Sequence, residues 1–187
     1  MTAPTDPSVA QTAAAVENVL ISAYAKLAAL PSMRGLGLEA FLAATVQQHG
    51  DHLAAFNAVA TRLGGKAQTG LDEAFMTSVV EPGIAAVASP LEAVMFCAKL
   101  EMIAAATYSA DVATVSDHGL RSALAETAGV ECQHQGVLLV AASVLSAGGA
   151  ALALPLPPRR LPVALQGPPT AFLRTDLARP GGEGAVR

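Results

Sequence analysis

The feature that most constrains this chain is a set of carboxylates and histidines on otherwise apolar helical faces. Four stretches repeat apolar residues with a period near 3.6, which predicts amphipathic helices. Each stretch nevertheless carries acidic or imidazole side chains at positions where the period expects apolar ones. A buried carboxylate is costly unless a counter-charge meets it. The fold must therefore bring these groups to one another or to a cation.

The periodicity predicts helices over residues 8–30, 38–63, 90–115 and 120–146. The third has Ser89 as N-cap, Pro90 at its first position and Glu92 three residues after the cap. Composition agrees, because 52% of the residues are apolar but only 4% are aromatic. Alanine favours helices, whereas strands prefer β-branched and aromatic residues. The sequence therefore predicts an all-α domain.

The connections between these helices predict the topology. The first and third connections are short, and the third contains His118 as a turn residue. Residues 66–89 form a long connection, with a short helical turn near 72–79. One long connection is typical of ferritin-like four-helix bundles. We expect such a bundle in residues 1–150. Residues 151–187 hold seven of the twelve prolines and are predicted to form an extended tail that packs on the bundle.

The polar residues recur at matched spacings. Glu17 precedes Tyr24 by seven residues, and Glu101 precedes Tyr108 by seven, which places each pair on one helix face about 10 Å apart. The second helix has His-x-x-His and the fourth has Glu-x-x-His, and this i, i+3 spacing puts two ligands on one side of a helix. The candidate metal ligands are thus Glu17, His49, His52, Glu101, Glu131 and His134.

A metal site explains these residues better than six separate buried polar groups. No lysine or arginine lies near them on the same faces, so a metal cation is the available counter-charge. Any one of the histidines or glutamates alone would be interpreted as an ordinary hydrogen-bonded core residue. The matched recurrence favours ligands. Tyr24 and Tyr108 are interpreted as core residues whose hydroxyls bond to a carboxylate beside the metal.

Several stretches carry a resemblance to the bacterial ferritin-like domain proteins. They are QQHGDHLAAFNAVATRLGG (47–65), LEMIAAATY (100–108), GVECQHQGVLL (129–139) and PTAFLRTDLARPGGEGAVR (169–187). In the related di-iron families, two helices each give one Glu and two each give Glu-x-x-His. The resemblance implies that Glu17 and Glu101 are the single carboxylates, and that Glu131 with His134 is one complete motif.

The chain departs from that pattern at His49, where the families have a bridging glutamate. Asp51 cannot replace it, because it points about 100° away from His52. Three carboxylates leave two divalent ions with one uncompensated positive charge. The extra nitrogen ligand shifts preference away from iron alone. The expected cofactor is a pair of iron ions, with zinc, manganese or copper as alternatives.

Composition and charge exclude some classes of partner. The net charge is −4 and no basic stripe exists, so nucleic acid is not expected as a partner. Cys97 and Cys132 fall in predicted helices and are interpreted as buried. The uncharged run over 135–158 favours a buried helix over a membrane anchor. The N-terminus has no export signal, so a cytoplasmic location is expected. An alanine-rich face is compatible with a homodimer.

Three functions follow from this interpretation. The first is a ferritin-like metal protein with a dinuclear site and a role in redox chemistry or oxidative stress. The second is a bundle that keeps the fold but acts only as a scaffold or metal carrier, which the histidine at position 49 favours. The third is a surface-associated protein that uses the uncharged 135–158 run. The sequence leaves open whether the protein is an enzyme.

Overall fold

The computed structural model describes residues 5–146, and that part of the chain is helical and contains no β-strand. The prediction of an all-α domain is therefore confirmed. The four predicted helices occur with bounds within three residues of those expected. In chain order, the helices are α1 (Asp6–Ala28), α2 (Glu39–Arg62), α3 (Glu73–Phe75), α4 (Glu81–Ala85), α5 (Pro90–Val112) and α6 (His118–Ser146).

The start of α5 follows the sequence signal closely. The Ser89 hydroxyl accepts a hydrogen bond from the backbone N–H of Glu92 at 3.2 Å. The Glu92 carboxylate in turn accepts from the backbone N–H of Ala88 at 2.8 Å. The predicted N-cap is therefore confirmed. Because the carboxylate caps the residue before Ser89, the reciprocal bond lies one position earlier than in a standard capping box.

The long connection is more helical than the sequence predicted. Helices α3 and α4 flank a π-helical stretch, Met76–Val80, so helical backbone continues to Ala85. Pro82 does not end it, although it lies in the first turn of α4 directly after the π-helical stretch. The turn predicted for 72–79 is thus part of a longer helical segment. His118, predicted in a turn, is the first residue of α6.

A glycine lets this connection lie close to α5. A Cβ atom built on Gly83 would fall 2.1 Å from the ring of Phe96. No side chain fits at that distance, so the backbone of α4 rests directly on the aromatic ring. Gly83 falls in the long connection predicted over residues 66–89, and the structure shows that it marks a close approach between two helices.

Pairs of contacting residues give the helix directions. Tyr24 contacts Glu101, and Glu17 contacts Tyr108, so α1 and α5 run antiparallel. On the other side, His52 contacts Glu131 and Gln48 contacts His134, so α2 and α6 also run antiparallel. Helices α1 and α2 pack as one pair and α5 and α6 as another. One apolar core lies among the four long helices, and its largest side chains include Leu20, Phe56, Leu100, Leu124 and Leu138.

Charged residues join three helices at one end of the molecule. The Asp6 carboxylate accepts from the backbone N–H groups of Ser116 and Asp117 at 3.0 and 2.6 Å. Asp117 accepts two hydrogen bonds from Arg62 at 2.7 and 3.0 Å. It also caps α6 by accepting from the backbone N–H of Leu120. These bonds fasten the start of α1, the end of α2 and the start of α6 to one another.

Other sequence predictions have mixed outcomes. Cys97 is buried as expected, but Cys132 is exposed on α6, so the prediction for Cys132 is wrong. Cys132 follows Glu131, whose inward direction turns the next side chain toward solvent. Helix α5 has the length and hydropathy to cross a membrane, yet 67% of its apolar window is buried among the other helices, as in a core helix. The predicted tail over 151–187 lies outside the described residues.

Candidate metal centre

The six candidate ligands come from all four long helices and meet in the core. Helix α1 supplies Glu17, α2 supplies two histidines, α5 supplies Glu101, and α6 supplies a glutamate and a histidine. All three glutamates and His49 are fully buried, and His134 is 4% exposed. The His52 side chain is 15% exposed, so this edge of the cluster is nearest to solvent. The ligand atoms form two groups that could each hold a metal ion.

The first group contains Glu17, His49, His52 and Glu131, whose ligand atoms all lie within 4.8 Å of one another. The Nδ1 atom of His49 is 2.8 Å from the Oε2 atom of Glu17. The Nδ1 atom of His52 is 3.0 Å from Oε1 of Glu131 and 3.7 Å from Oε1 of Glu17. Two carboxylates and two imidazoles thus point at one small region.

The second group contains His49, Glu101, Glu131 and His134, again within 4.8 Å. The Nδ1 atom of His134 is 2.9 Å from Oε2 of Glu131 and 3.2 Å from Oε2 of Glu101. The Nε2 atom of His49 is 3.3 Å from Oε1 of Glu101. This group has the same composition as the first, two carboxylates and two imidazoles.

Two residues belong to both groups, and each presents a different atom to each side. Glu131 directs Oε1 toward His52 and Oε2 toward His134. His49 directs Nδ1 toward Glu17 and Nε2 toward Glu101. Glu131 therefore has the geometry of a carboxylate shared between two ions. His49 occupies the other shared position, where the sequence resemblance described above leads one to expect a glutamate.

Two atoms of the cluster lack a hydrogen-bond partner. The Nδ1 atom of His52 and the Oε1 atom of Glu131 are both buried without one in the described part of the chain, although they lie only 3.0 Å apart. Their short contact is not aligned for a hydrogen bond. Leaving buried polar atoms unpaired costs free energy. A cation that both atoms ligate would remove this cost, so the site fits a metal.

Two tyrosines hold the terminal carboxylates in place. The Tyr108 hydroxyl donates a hydrogen bond to Oε1 of Glu17 at 2.5 Å, and the Tyr24 hydroxyl donates to Oε1 of Glu101. Each tyrosine lies on the helix opposite its carboxylate. Burial raises the pKa of both phenols, and the neighbouring carboxylates raise it further. Both hydroxyls therefore remain protonated donors.

One neighbour of the site was not selected from the sequence. The Oε1 atom of Gln48 lies 2.6 Å from Nε2 of His134, the ring nitrogen opposite the cluster. Fixing that nitrogen as the protonated one leaves Nδ1 free to face the other ligands. An exposed glutamine beside two histidines gives no distinctive signal, so only the helix packing reveals it. Asp51 is exposed and bonds to Gln47 instead, as its direction predicted.

Protons take the place of a cation in the metal-free cluster. No lysine or arginine contacts these six residues within 5–146. Burial alone would raise the pKa of Glu131, but the neighbouring imidazoles of His134, His49 and His52 hold it well below its usual range. Burial opposes protonation of His134, yet hydrogen bonds to Glu101 and Glu131 raise its pKa to about 9. Histidine protons thus balance the carboxylates.

At Glu17 burial prevails and raises the pKa, despite the hydrogen bond from His49. Burial opposes protonation of His49, but the neighbouring carboxylates of Glu101, Glu131 and Glu17 raise its pKa. A metal ion must displace such protons in order to bind.

Scans against protein families, curated proteins and solved structures found no match to this chain.

Proposed function

We propose that this protein is a ferritin-like metal-binding protein whose four long helices form a bundle around a dinuclear transition-metal site. The observation that carries the proposal is the pair of four-residue groups that share His49 and Glu131. Mixed carboxylate and imidazole ligands suit iron, manganese, zinc and copper rather than calcium or magnesium. The connectivity of two helix pairs and one long crossover supports the ferritin-like assignment.

The chain's own residues would position the ions in definite ways. Glu131 would contact both ions through its two oxygens, while Glu17 and Glu101 would each contact one. The two tyrosine hydroxyls would restrain the terminal carboxylates and reduce the negative charge on them. His52, the most exposed member of the cluster, would lie where small molecules reach the site. Iron held there would supply redox chemistry toward oxygen or peroxide, consistent with a role in oxidative stress.

A non-catalytic metal carrier is the second candidate, and the position of His49 favours it. This histidine is fully buried between the two groups, and its pKa is raised by three carboxylates. When protonated it supplies one positive charge within the cluster, which reduces the demand for a second ion. A protein of this kind would hold one ion and leave ferrous iron unoxidised.

The first experiment is elemental analysis of the purified full-length protein after reconstitution with ferrous iron or zinc. We expect close to two ions per chain. Glu131→Ala should lower the number of metal ions bound at both groups, whereas His52→Ala and His134→Ala should each lower it by one ion per chain. His118→Ala is the matched control, because His118 is exposed on the same helix as His134 and is expected to leave the content unchanged. Full metal content in Glu131→Ala would overturn the proposed site.

A second measurement separates the two functions. Ferrous iron is added in air, and its oxidation is followed by absorbance in the wild type and in His118→Ala. Oxidation faster than in buffer would support the redox protein. Two bound ions without accelerated oxidation, or a single bound ion, would support the carrier.

A further inference from the structure

An exposed apolar stripe follows the last part of α6. Val137, Val140 and Val144 are 45%, 38% and 37% exposed, and they are the large apolar side chains that stand out as exposed within 5–146. Their spacings of three and four residues place them on one face of the helix. Single exposed valines are ordinary, but a continuous stripe indicates a surface that is covered by something else.

The stripe forms one wall of a groove. Across from it lie Leu36 and Leu38, in the connection between α1 and α2, and the groove encloses about 280 Å³. Its lining residues are all apolar: Leu36, Leu38, Val137, Val140, Ala141, Val144 and Leu145. A site with these walls suits aliphatic side chains and offers no partner for a charged group.

The chain itself provides a matching segment directly after the groove. Residues 147–187 continue from Ser146, two residues beyond Val144. The pair Gly148–Gly149 permits the sharp reversal that a return along α6 requires. Leucines then occur at every second position, at 152, 154 and 156, so they share one side of an extended chain.

The dimensions of the segment and the stripe also match. The stripe spans seven residues of helix, or about 10 Å. The three leucines span four residue steps of extended chain, or about 13 Å. Pro155 and Pro157 disfavour helix and favour an extended backbone. Neither surface carries charge, since the sequence has no charged residue between His134 and Arg159.

We propose that residues 151–157 pack in extended form, antiparallel to α6, with their leucines in this groove. The docked segment covers the valine stripe and closes the open edge between α6 and the connection that joins α1 to α2. This proposal is independent of the metal centre, so metal content does not bear on it.

Limited trypsin digestion of the full-length protein tests the proposal. The readout is the cleavage rate after Arg160, four residues beyond Leu156. Val140→Glu places a charge in the groove and should raise this rate at least tenfold. Leu154→Glu should have the same effect from the other side of the contact, without altering any helix. The double variant should cleave no faster than either single variant, because both disrupt one interaction.

Two matched controls carry the same charge elsewhere. Ala125→Glu is exposed on α6, fifteen residues before Val140, and Gln166→Glu lies farther along the C-terminal segment. Both should cleave at the wild-type rate. Equal rates in the wild type, Val140→Glu and Leu154→Glu would overturn the proposal. A dimer that Val140→Glu dissociates would assign the stripe to a second copy, and co-sedimentation of wild type with lipid vesicles would assign it to a membrane.

Discussion

At the scale of single residues, His49 decides the character of the site. It is fully buried and contacts Glu17 through one ring nitrogen and Glu101 through the other. A glutamate in this place would complete four carboxylates and neutralise two divalent ions. A histidine leaves one positive charge uncompensated when both ions are bound. The preference for the second ion therefore depends on this position more than on any other.

His49→Glu should increase the occupancy of the second ion and accelerate oxidation of ferrous iron in air. The reason is that a fourth carboxylate balances the charge of both ions. The metal-free variant should melt at a lower temperature than the wild type, because it buries an additional unpaired charge. His118→Glu, at an exposed position, provides the control for an added carboxylate. Lower iron content in His49→Glu would contradict the assignment of position 49 as a shared ligand.

Gln48 acts on the site through His134. Its amide oxygen accepts from Nε2 of the imidazole and so orients Nδ1 toward Glu101 and Glu131. Gln48→Leu should weaken binding at the second group by about 10–100-fold, as loss of such outer partners usually does. Titration with zinc checks this, with Gln47→Leu as the matched control. Equal affinities in both variants would show that Gln48 has no orienting role.

At the scale of helices, the close approach of α4 to α5 depends on Gly83. Gly83→Ala forces the ring of Phe96 to move, and overpacking of this kind costs about 1–3 kcal/mol. Gly129→Ala is the control, because nothing lies within 4 Å of its added Cβ and alanine favours a helix by up to about 1 kcal/mol. Urea unfolding should therefore give opposite signs for the two variants. Stabilisation by both would mean that the crossover does not rest on α5.

The junction of α2 and α6 should make stability depend on acid pH. Hydrogen bonds from Arg62 lower the pKa of Asp117 to about 2. The unfolded chain has an Asp pKa near 3.9, so the lowered pKa stabilises the folded state at pH values above that. This stabilisation is lost as the pH falls through about 2. Asp117→Asn should melt below the wild type at pH 6, and the difference should shrink toward pH 2. Asp51→Asn, which removes an exposed carboxylate on α2, is the matched control.

At the scale of the whole molecule, a bound ion would connect both helix pairs. Each candidate group draws ligands from more than one helix pair, so metal binding stabilises their packing and not only local structure. Removing the metal with a chelator should therefore lower the melting temperature. A ligand present at 100 times its dissociation constant adds about 2.7 kcal/mol to the free energy of unfolding. Calorimetry with and without metal checks this. In Glu131→Ala, the melting temperatures with and without metal should differ much less than in the wild type. An equal difference in both proteins would place the metal elsewhere.

Sequence reasoning was most successful where the signal is local. Helical periodicity and the Ser89 cap predicted four helices to within three residues. Buried charge along the apolar faces selected six residues that the structure brings into one cluster, because a charge at such a position needs a partner. It was least successful at Gly83 and Cys132. A glycine such as Gly83 is equally typical of a loop and of a close contact between helices. The burial of Cys132 depends on the direction of its neighbour Glu131, which points inward.

The sequence by itself determined the all-helical class and which polar residues must meet, because periodicity and the cost of buried charge act within each helix. Only the tertiary structure decided how they meet. The division into two groups, the shared positions of His49 and Glu131, and the contact of Gln48 with His134 all depend on how the four helices pack. Distances between side chains on different helices are not contained in the spacing along any one of them.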